Sequence, residues 1–259
     1  MRYASVTEGR RATGLRLVLS KGLPGPWGVA AKAILDIKGL AYLAVEQEVG
    51  GENAGLREWT GQVSAPVLAW NDEPPCSDSL DILFLAERLA PAPRLIPGDV
   101  DERVRMFGIA REIVGRRGLG WMRRAMLLAP LLQGGRADGG VQAMAARYGC
   151  VEETFAGAAA ALTDIVSFLA RTLAAQQARG SRYLVGSALS AADIYWAAFS
   201  IMLHPLPQSE CPMPDYMRDA YSGAGTVIGA ALSPELLAHR DFVFREHIGL
   251  PCDFRETPA

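Results

Sequence analysis

One proline-rich stretch divides the sequence into two parts with different apolar periodicity, and this division limits the folds open to the chain. The stretch Pro91-Ala92-Pro93-Arg94-Leu95-Ile96-Pro97-Gly98 interrupts regular structure, because proline has no backbone N–H and stiffens an exposed segment. Strand-like runs alternate with helical patterns before it, and only helical patterns follow it. The sequence therefore predicts two domains, residues 1–91 and residues 99–259.

The first part begins with a β-α-β pattern. Residues 1–13 show no regular pattern, and we expect a loose leader there. A strand is predicted over 15–19, a helix over 29–37, where apolar residues recur every three or four positions, and a second strand over 41–46. This order requires a parallel strand pair joined by a crossover helix.

A third strand and a helix complete the first part. The apolar run after Pro66 predicts a strand that ends at Trp70, and Asn71-Asp72-Glu73-Pro74 predicts a turn into a short edge strand. A helix is predicted over 77–89, because Pro91 stops any continuation.

Composition argues against several classes of function. A formal net charge of −2 gives no electrostatic reason to expect nucleic acid or a membrane as a partner. The N-terminal residues lack the apolar core of a secretion signal, and no uninterrupted apolar run approaches the roughly 18 residues of a membrane span. We therefore expect a cytoplasmic protein.

The cysteines and histidines suggest neither a redox pair nor a metal site. The cysteines, at positions 76, 150, 211 and 252, are too far apart for a CxxC pair or a zinc knuckle, so we expect reduced thiols. The histidines, at positions 204, 239 and 247, share no ligand spacing with a carboxylate or a cysteine, so we expect no metal.

One helix start in the second part has the spacing of a capping box. Ser190 and Asp193 stand three residues apart at the start of an apolar run. The hydroxyl can accept from the third helical amide, while the carboxylate accepts from the amide of the cap residue. This device is structural rather than catalytic.

The capping-box segment, Tyr183 to Ile194, resembles the folding motif in the C-terminal domain of the cytosolic glutathione transferases. Three further motifs resemble the same family in the same order: Gly25-Pro26-Trp27-Gly28 leading to Lys38-Gly39, Ala65-Pro66-Val67-Leu68, and Asp78-Ser79-Leu80-Asp81-Ile82. By this resemblance, a thioredoxin-like α/β N-terminal domain is followed by an all-α helical-bundle C-terminal domain.

The resemblance implies a binding site for glutathione at four residues. A cis bond before Pro66 turns the main chain of Ala65 outward, so that its N–H and C=O can pair with an extended peptide. At Asp78 and Ser79, a helix start offers amides and a hydroxyl to a carboxylate, while the aspartate receives an ammonium group. Glutathione would be held there as a co-substrate.

The sequence departs from the family pattern at Gly25. In the serine-type members, a hydroxyl or thiol at this helix start donates to the glutathione sulfur and favours the thiolate. Three alternatives remain open: backbone amides of residues 25–28 stabilise the thiolate, Ser20 reaches the sulfur, or the protein binds the tripeptide without activating it. Trp27 either walls the cleft or only packs.

The resemblance further implies a homodimeric glutathione transferase that conjugates glutathione to a hydrophobic electrophile. One rival is a glutathione-dependent isomerase, ether-cleaving enzyme or reductase. The other is a non-catalytic scaffold that binds glutathione or another ligand. Four apolar residues on the predicted helices of 101–125 are candidates for lining the acceptor site: Met106, Phe107, Trp121 and Met122.

Overall fold

Two compact units make up the chain. The computed structural model describes residues 1–135, 137, 139–149, 152–224 and 228–257. Unit 1 comprises Met1–Ile96, Leu206–Asp215 and Phe242–Ala259, and unit 2 comprises Pro97–Pro205 and Tyr216–Asp241. The sequence-based division assigned 206–215 and 242–259 to the second part, whereas the structure groups both segments with the first. Of the four cysteines, Cys150 lies outside the described residues.

Unit 1 contains a three-stranded sheet with helices around it. The strands are Leu15–Ser20 (β1), Leu43–Gln47 (β2) and Val67–Trp70 (β3). The helices of the same stretch are Val6–Arg11 (α1), Pro26–Ile37 (α2), Ala54–Thr60 (α3) and Ser79–Leu89 (α4).

The sheet order is β2-β1-β3, with β1 parallel to β2 and antiparallel to β3. Val18 lies between Val45 on β2 and Val67 on β3, and these side chains pack with Leu56 of α3 as a buried cluster. The predicted parallel pair with a crossover helix is confirmed, because α2 joins β1 to β2.

The edges of the sheet are extended by single bridges. Ala4 pairs with Val45 on β2, and Cys76 pairs with Leu68 on β3. The predicted hairpin after Trp70 is therefore present, but its returning strand is reduced to one bridge. Proline residues at positions 74 and 75 lie in the turn that precedes this bridge.

The prediction of a loose leader over 1–13 is wrong. Ser5 and Glu8 form a capping box that starts α1, with the Ser5 N–H donating to the Glu8 carboxylate at 2.7 Å. Gly9 lets α1 lie close to the sheet, since a Cβ there would stand 2.5 Å from a methyl carbon of Val45. A helix of two turns contains too few apolar residues for a helical period to be visible in the sequence.

The remaining helices follow the proline-rich stretch. They are Val100–Val114 (α5), Leu119–Gln133 (α6), Gly139–Tyr148 (α7), Glu152–Gln177 (α8), Ala191–Ser200 (α9), Asp215–Ser222 (α10) and Pro234–Val243 (α11), and a π-helical turn spans Phe244–Ile248. In the described part of unit 2, α8 packs along α6, and α9 packs against α5 with every one of its residues buried.

One helix has the length and composition of a membrane span. The segment Ala156–Gln177 of α8 has a mean hydropathy of 1.4 over its most apolar window. Core helices of water-soluble proteins have the same properties. Leu162, Val166 and Leu169 of this segment are buried within unit 2.

Candidate functional site

The strand register places Ser20 beside Ala65 at one end of the sheet. The antiparallel ladder between β1 and β3 pairs Val18 with Val67. Continuing this register by two residues sets Ser20 opposite Ala65. Residues opposite each other in such a pair lie about 5 Å apart at their α carbons.

The bridge between Leu68 and Cys76 places the start of α4 at the same end. The backbone N–H of Leu68 donates to the Cys76 carbonyl at 2.8 Å, and that of Cys76 donates to the Leu68 carbonyl at 2.9 Å. Pro66 and Ala65 lie two and three residues before Leu68, and Asp78 and Ser79 lie two and three residues after Cys76, so both pairs lie beyond this bridge at the same end of the sheet. Five of the seven predicted site residues are thus brought together at one end of the sheet. We call this group, Ser20, Ala65, Pro66, Asp78 and Ser79, the sheet-end group.

The Ala65–Pro66 peptide bond is cis, which confirms that prediction. Ala65 is half-buried and lies just outside β3, which begins at Val67. Among the backbone hydrogen bonds of the described residues, none uses the N–H or the C=O of Ala65. Its main chain is therefore available to an added extended segment.

The start of α4 is capped by its own side chain. The Asp78 carboxylate accepts a hydrogen bond from the Leu80 N–H at 2.8 Å, and Ser79 is the first helical residue. Asp78 is exposed and Ser79 is half-buried. The Asp78 side chain is an exposed carboxylate, so a cation can approach it from solvent.

The start of α2 has no side-chain cap. Gly25 is the cap residue, and Pro26 is the first helical residue. Two short turns keep this helix start near the end of β1, because the Leu23 N–H donates to the Ser20 carbonyl at 3.2 Å and the Gly25 N–H donates to the Leu23 carbonyl at 2.9 Å. Trp27, in the first turn of α2, is half-buried.

Neither strain nor crowding accounts for the glycine at position 25. Its backbone angles, φ −64° and ψ 137°, are ones that any residue adopts. A Cβ on Gly25 would meet no atom within 4 Å. The backbone and its surroundings would therefore accept a serine at this position.

The hydroxyl of Ser20 is engaged by Gln47, a residue that the sequence analysis missed. Ser20 Oγ donates to Gln47 Oε1 at 2.8 Å, and Gln47 Nε2 donates to the carbonyl oxygens of Glu48 at 2.8 Å and Val63 at 3.2 Å. Gln47 is buried, and it ties β2 to the segment that leads to Ala65. Because the polar Glu46 precedes it in the same strand, no pattern of the local sequence distinguishes Gln47.

Cys76 lies next to the sheet-end group but is not poised as a nucleophile. Burial, with the nearby Asp81 carboxylate as a smaller cause, raises the pKa of the Cys76 thiol to about 11. The thiolate is the reactive form of cysteine, so this thiol is unreactive near neutral pH.

Unit 2 contains a cavity of about 780 Å³. It is bordered by α5, α8 and the segment that follows α8, with both charged and apolar side chains, among them Glu102, Arg105, Asp164, Phe168 and Arg179. None of the four predicted acceptor-lining residues borders it. Of those four, Met106 and Met122 are buried, and Phe107 and Trp121 are half-buried.

Solved structures similar to this chain share one fold. A glutathione transferase family member from Pseudomonas fluorescens pf-5, with two glutathione bound, matches at a TM-score of 0.66 and 16% identity, over 94% of this chain and 95% of that one. A glutathione transferase from Pseudomonas putida, with glutathione disulfide bound, matches at 0.65 and 16%, over 94% of each chain. The chain has the glutathione transferase fold.

A third solved structure shares this glutathione transferase fold and has a different activity. The β-etherase LigF from Sphingobium sp. strain SYK-6 matches at a TM-score of 0.58 and 20% identity, over 89% of this chain and 100% of that one. No protein-family model and no curated protein matches the sequence. The predicted thioredoxin-like front with a helical remainder is confirmed by these structures.

Proposed function

We propose that the chain binds glutathione at the sheet-end group and conjugates it to a hydrophobic electrophile. One observation carries the proposal: the bridge between Leu68 and Cys76 brings the main chain of Ala65, which makes no backbone hydrogen bond among the described residues, next to the helix start at Asp78 and Ser79. The structures from the two Pseudomonas species, which have the same fold, contain glutathione or its disulfide.

Each part of the sheet-end group suits one part of the tripeptide. The N–H and C=O of Ala65 pair with the main chain of its cysteine residue, as in the addition of a strand. The Ser79 hydroxyl and the first amides of α4 bind the γ-glutamyl carboxylate. The Asp78 carboxylate binds the ammonium group, whose charge is opposite to its own.

The start of α2 is the group that we assign to the sulfur. Pro26 has no N–H and the Gly25 N–H donates to Leu23, so the amides assigned to the sulfur are those of Trp27 and Gly28, at the positive end of the helix dipole of α2. Ser20 is less suited, because its hydroxyl proton is already donated to Gln47. In the reaction, the thiol proton passes to solvent and the sulfur electron pair forms a C–S bond with the electrophilic carbon. An aryl halide then loses halide with its bonding electrons, whereas in an enone the displaced π electrons take up a proton from solvent.

Thermal denaturation with and without glutathione tests the binding step. A ligand that binds only the native state raises stability by RT ln(1 + [L]/Kd), so millimolar glutathione should raise the melting temperature of the wild-type protein. Asp78→Asn keeps a capping side chain but removes the charge that receives the ammonium, so it should reduce this shift. Asp81→Asn is the matched control, because it removes the same charge one turn along and leaves the cap in place.

Turnover with a panel of electrophiles tests the second step. Aryl halides and enones test conjugation, and an aryl ether and a disulfide test the rival chemistries of ether cleavage and reduction. Absence of a thermal shift would contradict glutathione binding itself. A shift without conjugation would contradict the transferase activity alone.

A non-catalytic glutathione-binding protein is the second candidate, and Gly25 favours it. The position that carries a hydroxyl or thiol in the serine-type enzymes has neither here, although the space for a side chain exists. In this case the sulfur of bound glutathione would keep its ordinary pKa. Titration of its ultraviolet thiolate absorbance separates the two candidates.

We also propose a homodimer located in the cytoplasm, as the family resemblance implies. Val100 and Val104 lie one helical turn apart on α5 and are 59% and 65% exposed. Neighbouring exposed apolar side chains can form part of the contiguous apolar surface that marks a protein interface. Light scattering after size exclusion should give twice the chain mass for the wild-type protein and a smaller mass for Val104→Asp.

A further inference from the structure

The C-terminal segment of the chain packs against the turn that precedes α2. The Gly22 N–H donates to the Phe254 carbonyl at 3.0 Å. The Phe254 ring is 1% exposed, and one of its carbons stands 3.7 Å from where a Cβ on Gly28 would lie. Phe254 therefore lies next to residues on both sides of Gly25, the cap residue of α2.

The N-terminal segment holds the same carbonyl from another direction. The Tyr3 hydroxyl donates to the Phe254 carbonyl at 2.8 Å, and Tyr3 itself is 9% exposed. Burial raises the pKa of Tyr3 to about 12, so its hydroxyl keeps its proton throughout the physiological pH range. The Phe254 carbonyl thus accepts from Tyr3 and Gly22 together.

Further contacts within unit 1 fix the C-terminal segment on both sides of Phe254. Before it, the Cys252 N–H donates to the Glu210 carbonyl at 2.7 Å. After it, the Thr257 N–H donates to the Met1 carbonyl at 2.8 Å, and Glu256 forms an ion pair with Lys21 at 2.8 Å. Phe254 is thus a fixed support rather than part of a frayed end.

We propose that Tyr3 and Phe254 are positioning residues for the turn of residues 21–25, and through it for the amides at the start of α2 that bind the glutathione sulfur. This inference rests on the proposed function. No side chain caps α2, so the position of its first turn depends on the contacts that the turn of 21–25 makes. Displacement by about 1 Å is enough to impair a preorganised donor site.

The sulfur ionisation of bound glutathione tests the proposal in the full-length protein. Phe254→Ala should raise the pKa of the bound thiol by about one unit, which is a tenfold loss of thiolate near neutral pH. Its glutathione Kd should change by less than about threefold, because the tripeptide backbone is held at Ala65 and Asp78. Phe254→Leu should restore most of the loss, and Tyr3→Phe should give a smaller shift of the same sign.

Leu95→Ala is the matched control. Leu95 is 1% exposed in unit 1, and its backbone N–H donates to the Glu87 carboxylate at 2.8 Å. The Leu95→Ala variant should lose stability, as Phe254→Ala should, and the pKa of its bound glutathione thiol should be unchanged. Equal shifts in the two variants, or no shift in Phe254→Ala and Tyr3→Phe, would overturn the proposal.

Amide hydrogen exchange separates failure of this proposal from failure of the proposed function. Without any ligand, exchange at Gly22 should be about tenfold faster in Phe254→Ala than in Leu95→Ala, because the acceptor of its hydrogen bond is no longer held in place. If exchange at Gly22 is unchanged, Phe254 does not support the turn of 21–25, whether or not glutathione binds. If the two variants differ in exchange as expected but the wild-type protein binds no glutathione, the proposed function is refuted and, with it, the role in sulfur binding.

Discussion

Two helix starts of similar composition, one in each unit, have different surroundings. In unit 2, the Asp193 carboxylate at the start of α9 is fully buried, and it accepts from the Ser190 N–H, the Ser190 hydroxyl and the Leu184 N–H at 2.8–2.9 Å and lies 3.0 Å from His239 Nε2. In unit 1, Asp78 at the start of α4 is exposed and caps Leu80. The buried carboxylate has its acceptor capacity used by the protein, whereas the exposed one can be reached by a ligand from solvent.

The start of α2 extends this comparison to a third case. It has a glycine as its cap residue and no side-chain hydrogen bond. Across the three helix starts, the protein's own side chains satisfy progressively fewer of the first amides. We therefore expect the effect of substitution on stability to fall from α9 to α4 to α2, and we expect effects on glutathione itself at α4, through affinity, and at α2, through the pKa of its thiol.

The largest loss of stability is expected for Asp193→Ala. Removing one partner of a buried, charge-assisted network leaves several donors unpaired and typically costs about 3–5 kcal/mol. Urea denaturation should show this loss in the free energy of unfolding. Asp164→Ala, at an exposed aspartate of α8, is the control and should change it by less than about 0.5 kcal/mol. Comparable losses in both variants would mean that the buried network of Asp193 stabilises the fold no more than an exposed aspartate does.

Compared with Asp193→Ala, Asp78→Ala should reduce stability less and reduce the affinity for glutathione more. Loss of an exposed cap costs about 1 kcal/mol, and loss of the ammonium partner should weaken glutathione binding about tenfold or more. Asp78→Asn can still cap α4, so it should recover the stability but not the affinity. Calorimetric titration with glutathione and urea denaturation measure the two quantities separately. If Asp78→Asn bound as tightly as the wild-type protein, the aspartate would have no role beyond the cap.

Gly25→Ser should change stability by only a few tenths of a kcal/mol, because serine and glycine differ little as cap residues. If a hydroxyl is what the sulfur lacks, this variant should lower the pKa of bound glutathione by about one unit and raise the conjugation rate at neutral pH. Gly25→Ala supplies the same backbone change without the hydroxyl. Identical thiol pKa values for the two variants would show that the added hydroxyl does not reach the sulfur.

The Cys76 thiol, beside the start of α4, should differ in reactivity from the thiol of bound glutathione. This difference involves no change in stability. With a pKa of about 11, Cys76 should be alkylated slowly by iodoacetamide at pH 8, where only about one part in a thousand is thiolate, and the rate should rise steeply up to pH 11. Peptide mass mapping follows the modification at this residue. Rapid alkylation at pH 7 would mean that burial and Asp81 do not control its ionisation.

Local sequence signals predicted β1, α2, β2, β3 and α4 of unit 1 and the capping box of α9. The cis bond before Pro66 and the helix start at Asp78 were also predicted, because family motifs mark them. The closeness of these two places depends on the pairing of Leu68 with Cys76, which a single bridge determines. A bridge of one residue pair has no periodicity, so only the structure shows it.

Other features depend on contacts between residues far apart in the sequence. The helix α1 is short, and its stability comes from the capping box and from packing beside Val45. The return of 242–259 to unit 1 depends on hydrogen bonds such as the one from Tyr3 to Phe254. The roles of Ser20 and Gln47 follow from a contact between two strands. None of these contacts has a signal within a window of neighbouring residues.

The two single bridges at the borders of the sheet have a consequence for solubility. Strands with unpaired N–H and C=O groups attract strands of other molecules and lead to aggregation. Ala4 occupies the outer side of β2, and Cys76 occupies the outer side of β3. A protein that lacks residues 1–5 would expose the outer side of β2, and we expect it to form oligomers through intermolecular strand pairing during concentration or storage.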